Sequence, residues 1–208
     1  MKYSMYAKKN EPKYKKNNKY NPLLWEMNEQ GYKVCPNGYV LNQYVNEKYN
    51  EDGKYLRIMQ LYENARAFMR EHGNPGQWGT TYPPQNMIET DIRFGNLYVC
   101  IEKDTIEAVF FYKDGIDPTY LKIYDGQWKN DAPYGVVHRI TSSGKVKGAA
   151  SFCLDWAFSQ CGNLKIDTHE NNIVMQNMLK KNGFTYCGRI YIDNGGERLA
   201  FQKDSPVP

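Results

Sequence analysis

Ile58, Leu61, Ala65 and Phe68 recur at intervals of three and four residues, and that period predicts an amphipathic helix over Lys54–His72. Gly73-Asn74-Pro75-Gly76 stops it. A second helix is expected from about Pro83-Pro84 to Phe94, because proline suits a first helical turn and Gly95-Asn96 closes the far end. Leu97–Glu102 and Ile106–Tyr112 then read as two strands of a hairpin around Lys103-Asp104. A long polar and aromatic loop, Lys113 to Gly135, leads to a strand at Val136–Thr141. Ala149–Cys161 is apolar nearly all round, the mark of a helix covered on most sides. Leu164–Thr168 is the next strand. Asn172–Asn182 is a helix closed by Gly183, with Phe184 placed for the apolar contact of a glycine C-cap. Phe184–Ile192 and Glu197–Gln202 form a last hairpin around Asn194-Gly195-Gly196. This order, two helices, three strands, then helix, strand, helix and two strands, predicts a mixed α/β sheet with helices on both faces.

Residues 1–54 have a different texture. They are rich in Tyr, Asn and Lys and are broken by the turn signals Asn21-Pro22, Pro36-Asn37-Gly38 and Asp52-Gly53. Only Gly38–Tyr49 has strand character, through Tyr39, Val40, Leu41, Tyr44 and Val45. Such a piece buries too little to fold alone. The chain therefore divides into an extension, 1–54, and a domain, 55–208. With 41% hydrophobic and 24% charged residues in 208, a collagen-like, fully disordered or coiled-coil chain is excluded. No apolar run reaches the length of a membrane span, and none follows the Lys-rich start as in a secretory signal. The five cysteines, odd in number and without a C-x-x-C pair, read as free thiols in a reducing cytoplasm. The net charge of +4 is concentrated in residues 1–20, which hold seven lysines and one acid, so the remainder is slightly acidic. The tail accordingly reads as a solvated segment, with nucleic-acid contact as the rival reading.

The segment that carries chemistry is Ile140-Thr141-Ser142-Ser143-Gly144-Lys145-Val146-Lys147-Gly148-Ala149-Ala150, between a strand and a helix. A Gly-rich turn there exposes backbone N–H groups, and the helix adds its positive end. Lys145 and Lys147 supply further charge, and a pyrophosphate would suit the site. No Gly-Lys-Ser/Thr opens the helix, so it is not a Walker loop, and G-x-G-x-x-G is absent.

Lys145-x-x-Gly148-x-Ala150 resembles the Arg/Gln-x-x-Gly-x-Gly/Ala loop of the GNAT superfamily of N-acetyltransferases, with Lys in place of the usual Arg or Gln. Downstream, Asp167–Asn172 and Met175–Phe184 look like that family's second signature of strand, Asn, helix and Gly-Phe. The resemblance covers about residues 55–203. It implies a mostly antiparallel sheet whose two central strands splay apart, with the pantetheine arm of acetyl-CoA in the gap. By position, Ile140, Thr141 and Ser142 would offer backbone groups to the arm. Lys145, Val146, Lys147, Gly148, Ala149 and Ala150 would hold the pyrophosphate, with Asn172 and Met175 at the pantetheine or acetyl end. A primary amine of a small molecule or peptide would attack the thioester directly. The expected partners are that amine and acetyl-CoA, with no membrane and with a homodimer left open.

Many members of the family carry a glutamate base on the fourth strand. Val136 matches it here and cannot serve, whereas His138, two residues on and on the same face, is the candidate base. The usual thiolate-protonating tyrosine matches Leu179, which leaves water, Tyr186 or Tyr191 as substitutes. Cys153 lies within a buried helix and is not expected to act as a nucleophile. The histidines lack metal-ligand spacing, so no catalytic metal is expected. Gln77, Trp78 and Tyr82, after the first helix, and Trp128, in the long loop, are the candidate acceptor residues. Met1–Tyr6 and Tyr32–Gly38 resemble a piece of insertion-sequence transposases without an acidic triad. That likeness implies no transposase activity but a fusion, in which Gly38–Tyr49 replaces the family's first strand.

Overall fold

The computed structural model describes residues 26–27, 33–34, 40–43 and 54–205, except position 104. Three short strands, β1 (Glu26–Met27), β2 (Lys33–Val34) and β3 (Val40–Gln43), precede helices α1 (Lys54–Glu71) and α2 (Gln85–Arg93). There follow β4 (Leu97–Glu102), β5 (Thr105–Asp114), β6 (Gly135–Ser142), α3 (Ala149–Cys161), β7 (Asn163–Thr168), α4 (Ile173–Lys181), β8 (Thr185–Tyr191) and β9 (Glu197–Asp204). All described strands join one sheet in the order β1-β2-β3-β4-β5-β6-β7-β9-β8. Every neighbouring pair is antiparallel except β6 and β7. This is the expected mixed, mostly antiparallel architecture.

Two helix layers cover the centre of the sheet. Strand β5 feeds both layers: Ala108, Phe110 and Tyr112 join the α3 layer with Phe152 and Trp156, Val109 joins the α1–α2 layer with Ile58, Leu61 and Ile88, and a register slip against β4 between Ile106 and Ala108 puts Ile106 in that second layer too. Buried residues occupy most of the circumference of α3, which is why its sequence shows no polar stripe. The loop 115–134, with one 3-10 turn at Pro118–Tyr120, takes the place of a helix over β6–β9 and closes a third cluster of Tyr120, Val136, Ile190 and Ala200. Helix α4 ends as expected. Gly183 adopts φ +81°, the Phe184 N–H donates to the Leu179 carbonyl at 3.0 Å, and both side chains enter one core.

Strand β3 lies beside β4, from Val40↔Ile101 to Gln43↔Tyr98, so the backbone edge of β4 is paired rather than open. Of the expected strand Gly38–Tyr49, residues 40–43 are described. The basic tail, Met1–Tyr6 and the turns at 21–22, 36–38 and 52–53 lie outside the described residues.

Candidate active site

Strands β6 and β7 pair at two positions only, Gly135↔Leu164 and Val136↔Lys165. Beyond them β6 runs on to Ser142 and β7 to Thr168 without a ladder between them, while β6 stays paired to β5 as far as Ala108↔Ser142. The strands therefore splay, and backbone groups of β6 that face β7 lack a sheet partner. Ile140, Thr141 and Ser142 all lie along this open stretch, each half-buried.

A bulge shapes the same stretch. The register slips between Val109 and Phe111, and Arg139 takes φ +52°, a left-handed conformation that a side chain makes costly. Its guanidinium is held in place: Nη2 donates to Asp91 Oδ2 of α2 at 2.6 Å, and the group lies over the Phe111 ring at 4.7 Å. Burial pushes the Asp91 carboxyl up more than Arg139 pulls it down. Burial opposes the charge on Arg139 as well, but Asp91, Tyr82 and Tyr62 together raise it.

At the end of β6 the chain turns into the Gly-rich loop expected before α3. The Ser143 N–H donates to the Glu107 carbonyl at 2.8 Å, the Ser143 hydroxyl bonds the Glu107 carboxylate, and the Lys145 N–H donates to Ser143 Oγ at 3.0 Å. Gly144 (φ +73°) and Gly148 (φ +90°) take left-handed turns, and a Cβ on either would meet nothing within 4 Å. Gly148 caps α3 without a side chain, leaving the helix N-terminus open to an anion. Lys145 and Lys147 are exposed; Val146 and Ala149 anchor the loop in the core, and Ala150 is half-buried.

His138 belongs to a cluster that its own sequence neighbourhood does not contain. Its Nε2 lies 2.7 Å from Asp117 Oδ2, and its Nδ1 lies 3.7 Å from Asp167 Oδ1. The Tyr120 hydroxyl donates to that same Asp167 oxygen at 2.6 Å. Burial pushes the Asp117 carboxyl up, but hydrogen bonds from His138 and Thr119 outweigh it and hold the group down at about 2. Burial, and then Asp167, drive the Tyr120 phenol well up. Sequence reasoning missed Asp117 and Tyr120, and gave Asp167 no role beyond its place in the second signature; for Asp117 the local signal was Asp117-Pro118, a turn start whose Asp caps the 3-10 turn.

The candidate acceptor residues separate. Asn172 caps α4 by accepting from the Met175 N–H at 3.1 Å, and its Nδ2 donates to Gln77 Oε1 at 2.9 Å. Gln77 also accepts from Asn74 Nδ2 at 2.7 Å, so the loop after α1 is tied to the open end of β7. Met175 packs against the core beneath. Trp78 is buried between Tyr62 and Tyr82 under α1, an anchor for its loop. Trp128 anchors the long loop: its Nε1–H donates to the Tyr120 carbonyl at 2.9 Å, with Lys165 Nζ over the ring at 4.2 Å. Leu179 is fully buried, Tyr186 packs on Phe201, and the Tyr191 hydroxyl donates to Glu197 at 3.2 Å. Burial raises the Cys153 thiol, consistent with an inert core cysteine. Next to Gln77 in the chain, Gly76 joins His169, Glu170, Gly196, Glu197 and Arg198 in lining a polar cleft of about 240 Å3. Among the described residues no cluster of three His, Cys, Asp or Glu is placed to hold a metal, and no helix is long and apolar enough to cross a membrane.

No protein-family model matches the chain, and no curated protein matches it. Solved structures do. A GNAT-family acetyltransferase from Streptococcus agalactiae superposes with a TM-score of 0.70 at 32% identity, covering 82% of this chain and 97% of that one. A GNAT-family acetyltransferase from Listeria monocytogenes gives 0.53 at 16% identity, over 84% and 96%. The NatC complex bound to Gag peptide and CoA gives 0.51 at 12%, over 80% and 98%. The last two share the fold. The splayed strands, the open loop before α3 and the extent of the streptococcal match lead to one assignment: the chain belongs to the GNAT family of acetyltransferases.

Proposed function

We propose that the protein transfers the acetyl group of acetyl-CoA to a primary amine of a small-molecule or peptide acceptor. The observation that carries this is the gap between β6 and β7, which runs into an α3 N-terminus with no side-chain cap. The residues present suit the cosubstrate: two left-handed glycines keep side chains off the loop, and Lys145 and Lys147 stand exposed beside it. CoA in the structurally similar NatC complex supports the same reading. When bound, acetyl-CoA supplies a thioester carbonyl at which an amine is acylated with loss of the CoA thiol.

The chain's own residues then divide the work. Backbone groups of Ile140–Ser142 receive the arm as an added strand would, and the N–H groups of Lys145–Ala150 hold the pyrophosphate. Asn172 reaches the pantetheine or acetyl end, its carboxamide orientation fixed by Met175 and Gln77. His138 takes the proton that the amine must lose. With the ring proton on Nε2 toward Asp117 at 2.7 Å, the lone pair would lie on Nδ1, and the 3.7 Å gap to Asp167 is too long for a hydrogen bond to claim it. This is the logic of a carboxylate-oriented histidine base.

A second reading, a CoA-binding module without turnover, is favoured by the burial of Leu179 where the family's tyrosine would stand. Thiol release from acetyl-CoA across an amine panel separates the two. Turnover that falls roughly 10²–10⁴-fold in His138→Ala, with acetyl-CoA binding kept, supports the transferase and its base. Binding without amine-dependent thiol release supports the module.

A further inference from the structure

We propose that the acceptor carries a carboxylate, that Arg198 binds it in the cleft beyond β7, and that the substrate class is therefore a small amine of amino-acid type. This deepens the acetyltransferase reading and rests on it.

Arg198 is the cation that faces the cleft with unused donors. Its Nη1 donates to the Glu197 carbonyl at 2.7 Å, and its Nε stands 4.0 Å from Asp167 Oδ2, an ion-pair distance without a hydrogen bond. A guanidinium has five N–H donors in a planar fork, so most of the fork is uncommitted. None of its nitrogens is among the buried, unpartnered polar atoms of the described residues, although the side chain is only 11% exposed. Its remaining nitrogens therefore keep access to solvent, and Arg198 lines the cleft. A half-sequestered guanidinium with donors to spare beyond Glu197 and Asp167 favours a planar, bidentate anion, and a carboxylate matches the fork.

The surroundings agree. A Cβ at Gly196 would come within 3.2 Å of Arg198 Nη1, so glycine there leaves the guanidinium its room. Glu197 lines the cleft but its carboxylate is engaged by Arg189. Burial and the charge of Arg198 both lower the pKa of His169, which leaves Arg198 as the cation of the cleft at neutral pH. Glu170, exposed and also lining the cleft, adds the negative charge that a zwitterion tolerates better than a simple anion does. At about 240 Å3 the cleft admits a small ampholyte rather than a drug-sized ligand. It opens next to Gly76, and the adjoining Gln77 is bonded to Asn172 at 2.9 Å. The cleft that Arg198 lines thus adjoins the open end of β7 through Gly76 and Gln77.

The test is a binding measurement that needs no turnover. The full chain is titrated, by ligand-observed NMR in the presence of CoA, with the proteinogenic amino acids and with the corresponding decarboxylated amines. At least one acid should bind tenfold or more tightly than its decarboxylated partner. That margin should vanish in Arg198→Met and be partly kept in Arg198→Lys, with all three proteins melting alike. Equal binding of both members of every pair, no binding by any acid, or a margin that survives in Arg198→Met would overturn the proposal. The acetyl-CoA thermal shift of the wild type is read alongside: its absence counts against the acetyltransferase reading, whereas its presence with an indifferent panel counts against Arg198 alone.

Discussion

Arg139 and Asp91, 48 positions apart, meet through a 2.6 Å hydrogen-bonded ion pair that ties the bulge of β6 to helix α2. Both side chains are buried, and burial offsets the pairing for Asp91. The pair is therefore a positioning device more than a source of net stability. Removing one partner strands a buried charge, so Asp91→Asn should cost roughly 3–5 kcal/mol in denaturant unfolding. The double variant Asp91→Leu/Arg139→Met should recover most of that loss, a coupling that a double-mutant cycle measures directly. Additive losses would show that the two residues act independently.

Asp117 makes a claim about acid stability. An aspartate ordinarily titrates at 3.8, and this one is held at about 2. A depressed carboxyl contributes stability that is complete above 3.8 and is lost as pH falls toward 2. The melting-temperature gap between wild type and Asp117→Asn should be full near pH 5 and narrow steadily toward pH 2. A gap independent of pH over that range would mean that the His138 contact does not hold the carboxylate.

Strand β3 covers the edge of β4 over four residue pairs. We propose that the extension completes the sheet. A chain starting at Gly53 would leave that edge as an open template, and should aggregate or melt well below the full protein. One starting at Asn21 should melt close to it. Equal melting of the Gly53 start and the full chain would make the extension dispensable.

The local elements were legible because each carries a short-range signal. Helix α3 is bounded by Gly148 and Gly162, and the end of α4 is written in Gly183-Phe184. The turn from β6 into α3 was legible for the same reason, as a Gly-rich stretch between a strand and a helix. The bulge was not. The strand pattern continues through Arg139, and its left-handed conformation goes with a register slip against β5 and a contact to Asp91, both from other elements. The His138 cluster was hidden too, since Asp117 and Asp167 come from a loop and from a separate strand. Trp78 and Trp128 show a further limit: an aromatic in a polar loop has one sequence signature whether it faces a ligand or pins the loop. Here Trp78 lies in the core, and Trp128 is bonded to the Tyr120 carbonyl.

The central claim is that the open α3 N-terminus and its loop hold the pyrophosphate of acetyl-CoA. The most direct measurement is the thermal shift of the full chain on titration with acetyl-CoA, set against that of Gly148→Glu. Ligand that binds the native state raises the melting temperature by mass action. Glutamate at position 148 would put a negative charge on the anion site and a side chain at φ +90°. The account predicts a saturable rise for the wild type that Gly148→Glu abolishes while remaining folded. No shift at millimolar acetyl-CoA, or an equal shift in both proteins, would contradict it.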